Sequence, residues 1–176
     1  MENKKSFVSR FAEALVKKEI MKEPEAMSFV QEFHDRAKGN VVSFLLEEGL
    51  VEKEDILRAL SSMYDVPSFD VRGYFFNHEL LMHFPKDFLL ENVVIPLEVE
   101  EDLLSVVVNN PEDEEAIAKI GDFVSYNVMV YVGIQEDICD AIAEYYDEDV
   151  ITAEIEEQEE ESGNETDDSD IVDILE

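Results

Sequence analysis

The spacing of apolar residues changes at about Pro67, which divides the chain into two differently folded regions. Before this point apolar residues recur at intervals of three and four, as in amphipathic helices. The predicted helices run from Phe7 to about Met21, for about 14 residues from Pro24 to a break at Gly39–Asn40, and as two short helices within 41–64 joined at Gly49. Residues 1–64 therefore predict a helical subdomain.

After Pro67 the apolar residues favour strands. Runs rich in Val, Ile and Leu predict a hairpin of strands at 93–99 and 103–108, and a third strand at 127–132. Between them, Asn110 as cap and Pro111 as first residue predict a crossover helix. A closing helix is expected at 135–146, with the helices on one face of the sheet.

These elements predict an α+β fold, with an N-terminal helical subdomain followed by a small α/β sandwich of about three strands. The predicted domains are a helical subdomain at 1–64, a small α/β subdomain at 65–146 and an acidic tail at 147–176. The tail contains 15 acidic residues and no basic one, so it predicts a disordered or weakly helical linker.

The charge of the chain, −32, is concentrated after residue 38. Residues 1–38 contain eight Lys and Arg against seven Asp and Glu, which leaves five basic (13 − 8) and 38 acidic (45 − 7) residues for the rest. Such a surface repels phosphate backbones and anionic membranes. We therefore expect no nucleic-acid partner and no direct membrane insertion.

The sequence predicts a cytoplasmic protein. No apolar stretch approaches the roughly 18 residues of a membrane helix, and no signal-peptide-like apolar run follows the basic start. Cys139 is the single cysteine, so it has no internal disulfide partner, and its helical setting predicts a small core residue.

Motifs for catalysis or metal binding are missing from the sequence. There is no GxxxxGK[ST] and no GxGxxG, so no loop is predicted to hold a nucleotide phosphate. His78 and His83 lie five apart, whereas a zinc-binding helix needs histidines four apart on one face. The sequence thus predicts no catalytic residue, no metal site and no cofactor.

An ordered set of segments resembles the N-terminal domain of type II secretion and type IV pilus-assembly ATPases. The segments are VVSFLLEEGLVEKEDILRAL (41–60), YDVPSFDV (64–71), LLMHFPKDFLLENVVIPL (80–97), SVVVNNPEDEEAI (105–117) and EDICDAIAEYY (136–146). The end of the tail, DDSDIVDILE (167–176), resembles the opening of the motor half, with Asp170 where proline is usual.

The resemblance also implies a ligand hypothesis. Some members of this family bind cyclic di-GMP through two tandem segments, in which an Arg and a Gln contact the dinucleotide and leucines pack beneath it. Here Arg10 is kept in the first segment, while Asn40 stands for the second Arg and Met63 for Gln. These three are the candidate, degenerate ligand positions. Because most charge-assisted contacts are lost, we expect no tight binding of cyclic di-GMP.

The resemblance implies a non-catalytic docking and regulatory module that links a secretion or pilus motor to the cytoplasmic part of an inner-membrane platform protein. Its own motor domain is a further expected partner, and the protein would reach the inner membrane only through such a partner. The alternatives are a cyclic di-GMP sensor and a stand-alone adaptor without a motor.

Overall fold

The helical region predicted before Pro67 is present in the computed structural model, which describes residues 5–36 and 39–147. The helices are α1 (Phe7–Lys17), α2 (Glu23–Arg36), α3 (Val41–Glu47) and α4 (Lys53–Tyr64). Helix α1 ends earlier than Met21 because Glu19 adopts a left-handed conformation (φ 57°) that stops helical hydrogen bonding. Gly49, with φ 66°, separates α3 from α4 as expected.

The second region contains the predicted strands and two short helices that the sequence did not predict. Its elements are α5 (His78–Leu81), α6 (Lys86–Asn92), β1 (Val94–Glu100), β2 (Leu103–Val108), α7 (Glu114–Lys119), a 3-10 turn (Ile120–Asp122), β3 (Asn127–Val132) and α8 (135–147). The α+β fold class is confirmed. The acidic tail predicted from residue 147 lies, apart from Asp147, outside the described residues, and the division at residues 64 and 146 stays a prediction.

The sheet has the order β1-β2-β3. Strands β1 and β2 form the predicted antiparallel hairpin, with a shift in register between Pro96 and Glu98. Strands β2 and β3 are parallel, from Leu103 opposite Asn127 to Val108 opposite Val132, so α7 lies in the crossover connection between them. The sheet is therefore mixed, and its central strand is β2.

Helices were expected on one face of the sheet, whereas at one end of the sheet both faces are covered. The first four residues of β1 and the last three of β2 are all buried. Because successive strand residues point to opposite faces, both faces are covered there. Helices α5 and α6 contact β1, while α4 contacts β3.

The predicted start of the crossover helix was also wrong. Asp113, rather than Asn110, is its N-cap, and its carboxylate accepts a hydrogen bond from the backbone N–H of Ala116 at 3.1 Å. Asn110 instead closes a turn, because its side-chain oxygen accepts from the N–H of Glu112 at 3.1 Å. The helix thus begins three residues later, and Glu112 lies in a turn before it.

The described residues contain two hydrophobic clusters. The first joins α1–α4, from Phe11 to Leu60, and also includes Val132 and Ile134 from the end of the sheet. The second, from Val71 to Ile142, fills the space between the sheet, α5, α6 and α8. Strand β3 and the residues after it therefore contribute to the packing of both clusters.

Candidate functional site

A cleft of about 360 Å³ lies where the helical region meets the end of the sheet. Its walls are apolar and aromatic, with amide side chains at the sheet end. The residues that line it are Phe7, Val8, Phe33, Gly39, Asn40, Val41, Val42, Leu60, Tyr64, Asn109, Asn110, Gly133, Ile134 and Gln135. Elements far apart in the sequence thus form this cleft together.

Arg10 lies beside this cleft and is bound within the chain. Its two terminal guanidinium nitrogens donate hydrogen bonds to the two carboxylate oxygens of Glu112, at 3.0 and 2.6 Å. The guanidinium also lies 5.5 Å from the ring centroid of Tyr64, within the range of a cation–π contact. The hydrogen bonds to Glu112 raise the pKa of Arg10, so its charge is held fixed.

The local structure explains why Glu112 faces Arg10. Asn110 accepts a hydrogen bond from the backbone of Glu112 and so fixes the turn between β2 and α7. Arg10 follows Phe7 by one helical turn in α1, beside the face that buries Phe11. Burial, and secondarily the nearby charge of Glu112, raises the pKa of Tyr64, which stays a neutral phenol beneath the guanidinium.

The other two candidate ligand positions have structural contacts. Asn40 is the N-cap of α3, and its side-chain oxygen accepts from the N–H of Val42 at 2.8 Å while the residue lines the cleft. Met63 packs partly buried against the first hydrophobic cluster and does not line the cleft. The structure thus places Arg10 against Tyr64 and lines the same cleft with Tyr64 and Asn40, and it leaves Met63 outside this group.

The chemistry available in the cleft is limited to weak hydrogen bonding and stacking. Tyr64 is the only side chain with an ionisable group among the described lining residues, so they offer no nucleophile with an adjacent base. Across residues 5–36 and 39–147, no group of three or more His, Cys, Asp or Glu side chains is arranged to hold a metal ion. Cys139 is half-buried rather than part of the core, and burial, then Asp140, raises the pKa of its thiol.

Glu112 was not recognised as a site residue from the sequence. It was interpreted as an acid in the first turn of a helix, because it follows Pro111. The signal that was available is the turn pattern of Asn110, which places the next acidic side chain outside the helix. Its pairing with α1 joins residues 102 positions apart, which a local pattern does not reveal.

The family comparison covers the sheet and the closing helix. The MshEN domain family matches residues 64–152, which is half of the 176 residues. This chain belongs to the MshEN domain family. The matched range of this MshEN domain includes Tyr64 and Glu112 and leaves out Arg10 and Asn40.

Relatives of this MshEN domain belong to secretion and pilus ATPases. The type IV pilus assembly ATPase PilB of Myxococcus xanthus (strain DK1622) is 22% identical over 139 residues, covering 79% of this chain and 24% of PilB. The chain thus spans about a quarter of the length of this curated relative. It is an N-terminal domain of the type found in type II secretion and type IV pilus-assembly ATPases.

Two solved structures share the fold of this MshEN domain. A structure of MshE with cdg has a TM-score of 0.60 and 14% identity, covering 77% of this chain and 98% of that one. The N-terminal domain of XpsE has a TM-score of 0.53 and 21% identity, covering 81% and 97%. The matches are thus to N-terminal domains and not to an ATPase catalytic domain.

Proposed function

We propose that this chain is the docking and regulatory domain of a bacterial type II secretion or type IV pilus-assembly ATPase, which it links to the cytoplasmic part of an inner-membrane platform protein. The observation that carries this proposal is the MshEN match over residues 64–152. The absence of an acid–base pair or nucleophile among the described cleft residues agrees with a binding role. No helix of the described residues is both long and apolar enough to span a bilayer, so attachment through a protein partner is proposed.

The experiment is a direct binding measurement. The full chain is titrated into the purified cytoplasmic part of the platform protein from the same genome, by calorimetry or interferometry. We expect saturable binding with a dissociation constant of about 1–100 µM, as for small interfaces between domains. An unrelated acidic protein of similar size controls for binding by charge alone. Failure of the chain to bind the platform protein, with the control equally inactive, would contradict the proposal.

Whether a motor domain is encoded after this chain is tested separately, by sequencing the gene. Sequencing past the codon for Glu176 is expected to show an open frame with a GxxxxGK[ST] loop downstream. A stop codon directly after Glu176 would instead favour the stand-alone adaptor. Whether the frame stays open or stops, docking on the platform protein is tested independently by the binding experiment.

A cyclic di-GMP sensor is the second candidate, and the structural likeness to MshE with cdg favours it. Three contacts within the chain oppose it: Arg10 is bound by Glu112, Asn40 caps α3, and Met63 packs against the helical cluster. We therefore propose that this chain does not bind cyclic di-GMP tightly. Titration calorimetry should give no dissociation constant of about 1 µM or below. Tight binding that Arg10→Ala abolishes would establish the sensor.

A further inference from the structure

The loop at residues 72–77, here named the aromatic loop, exposes one phenylalanine almost completely. Phe75 has a relative solvent exposure of 97%, the highest of the exposed large hydrophobic side chains among the described residues. Its neighbours do not share this exposure. Tyr74 and Phe76 are half-buried and pack edge to face at a centroid distance of 5.0 Å, and Tyr74 packs likewise on Phe69 at 5.3 Å. Phe75 is therefore the one aromatic ring left outside this stack.

The base of the aromatic loop is held by charged groups. Arg72 donates two side-chain hydrogen bonds to Asp70, at 2.9 and 2.7 Å, and lies 3.8 Å from the buried carboxylate of Asp137. Lys53 of α4 forms a 2.5 Å ion pair with the same Asp137. Gly73 follows with φ 71°, which favours glycine in the turn. The loop is thus fixed before any partner binds, which lowers the entropic cost of association.

A groove of about 610 Å³ lies beside Phe75, between the aromatic loop and α8. Its two cations, Lys53 and Arg72, are already paired with Asp137 and Asp70. Asp140 and Glu144 of α8 also line it, and both are exposed. Neither of these two carboxylates has an ion pair with any residue in the described part of the chain. The rim of the groove is therefore negative where it meets solvent.

We propose that the aromatic loop is the docking site for a protein partner that offers an apolar pocket for Phe75 with Lys or Arg side chains at its rim. Large aromatic side chains that enter a pocket are typical anchors of protein interfaces. The exposed carboxylates Asp140 and Glu144, which have no ion pair among the described residues, favour a partner with a basic rim by charge complementarity. The inference rests on the proposed function, because it assigns the surface through which the domain docks on the platform protein.

The negative charge of the chain also disfavours two other binding partners at this surface. A second copy of this chain would place Asp140 and Glu144 near equally acidic groups of a molecule whose net charge is −32. An anionic membrane would be repelled for the same reason. Binding to a second copy and binding to a membrane are each measured separately in the experiment that follows.

The test compares two single variants of the full chain for binding to the cytoplasmic part of the platform protein. Phe75→Ala should weaken binding by roughly 30-fold or more. Met27→Ala is the matched control, because Met27 is 70% exposed on α2, and it should bind like the wild-type chain. Both variants should melt at the wild-type temperature, since neither side chain is buried. Asp140→Asn combined with Glu144→Gln should slow association and reduce its dependence on salt.

The outcomes separate the two claims. If the wild-type chain does not bind, the proposed function fails, and this inference fails with it. If the wild-type chain binds and Phe75→Ala binds equally well, or Met27→Ala is the variant that loses binding, this inference alone is overturned. It is also overturned if Phe75 is required for sedimentation with anionic vesicles that contain phosphatidylglycerol, or for a dimer in analytical ultracentrifugation.

Discussion

The guanidinium of Arg10 and the carboxylate of Glu112 form a two-bonded ion pair between α1 and the turn that precedes α7. Arg10 is 26% exposed and Glu112 is 46% exposed, so solvent screens the pair. It is nevertheless a direct polar connection between the helical region and the sheet region. Arg10, whose positive charge would favour an anionic ligand at the cleft, is thus already paired with a carboxylate of the same chain.

The strength of this pair can be measured by a double-mutant cycle with Arg10→Ala and Glu112→Gln. We expect a coupling free energy of about 0.5–1 kcal/mol, because the geometry is bidentate but both groups are partly exposed. Chemical unfolding in urea gives the four stabilities. The coupling should fall in 1 M NaCl. Additive single-variant effects would contradict a direct energetic link between the two residues.

Lys53→Met should destabilise the protein by about 1–3 kcal/mol, because it leaves the carboxylate of Asp137, which is only 7% exposed, without its 2.5 Å partner. Methionine keeps most of the side-chain volume, so the loss reports on the charge. Lys119→Met is the matched control, since Lys119 pairs with Glu115 on the surface at 3.2 Å, and it should change stability by at most about 0.5 kcal/mol. Equal losses of stability in the two variants would contradict the prediction that removing a cation costs more when its carboxylate partner is buried.

Gly133→Ala should destabilise the protein by about 1–3 kcal/mol, because a Cβ at this position would lie 2.6 Å from a methyl carbon of Val107 and 3.3 Å from Ile138. Gly121→Ala is the control, since no heavy atom lies within 4 Å of the corresponding Cβ. Thermal unfolding of both variants measures the difference. A Gly133→Ala variant as stable as Gly121→Ala would mean that β2 and α8 pack less closely than described.

Asp70→Asn should lower stability at pH 7, and the loss should shrink in acid. Hydrogen bonds from Arg72 lower the pKa of Asp70 below its ordinary value of 3.8, so the folded state binds this proton more weakly than the unfolded state does. The stabilisation is therefore present above pH 3.8 and is lost as the pH falls through the folded pKa. Urea unfolding at several pH values, compared with the wild-type chain, gives the difference. A difference that is constant with pH would contradict this assignment.

The strands and main helices could be predicted because their patterns are local. Strand β2 is predicted by its own run of β-branched residues, Val106, Val107 and Val108, without reference to distant segments. The break between α3 and α4 is likewise predicted by Gly49 alone. The short helices α5 and α6 were missed because each has at most two turns, too few for a periodic pattern. Helix α6 also ends at Val93 with φ 48°, a conformation that β-branched residues rarely adopt and that tertiary packing imposes.

The candidate site was less predictable than the fold. Arg10 was identified through a family motif, but its partner Glu112 lies 102 residues away. The aromatic loop gave no signal, because Tyr74, Phe75 and Phe76 are all apolar in the sequence. Only the structure distinguishes the two rings that stack from the one that faces solvent. Contacts between distant segments, rather than local preference, decide these cases.

The inclusion of Val132 and Ile134 in the cluster of α1–α4 has a consequence for synthesis on the ribosome. The four helices emerge first, yet two side chains of their common core are translated about 70 residues after α4 ends. Until β3 has left the exit tunnel, the nascent helices expose an apolar surface. A chaperone that binds nascent chains would therefore meet this protein at its helical half.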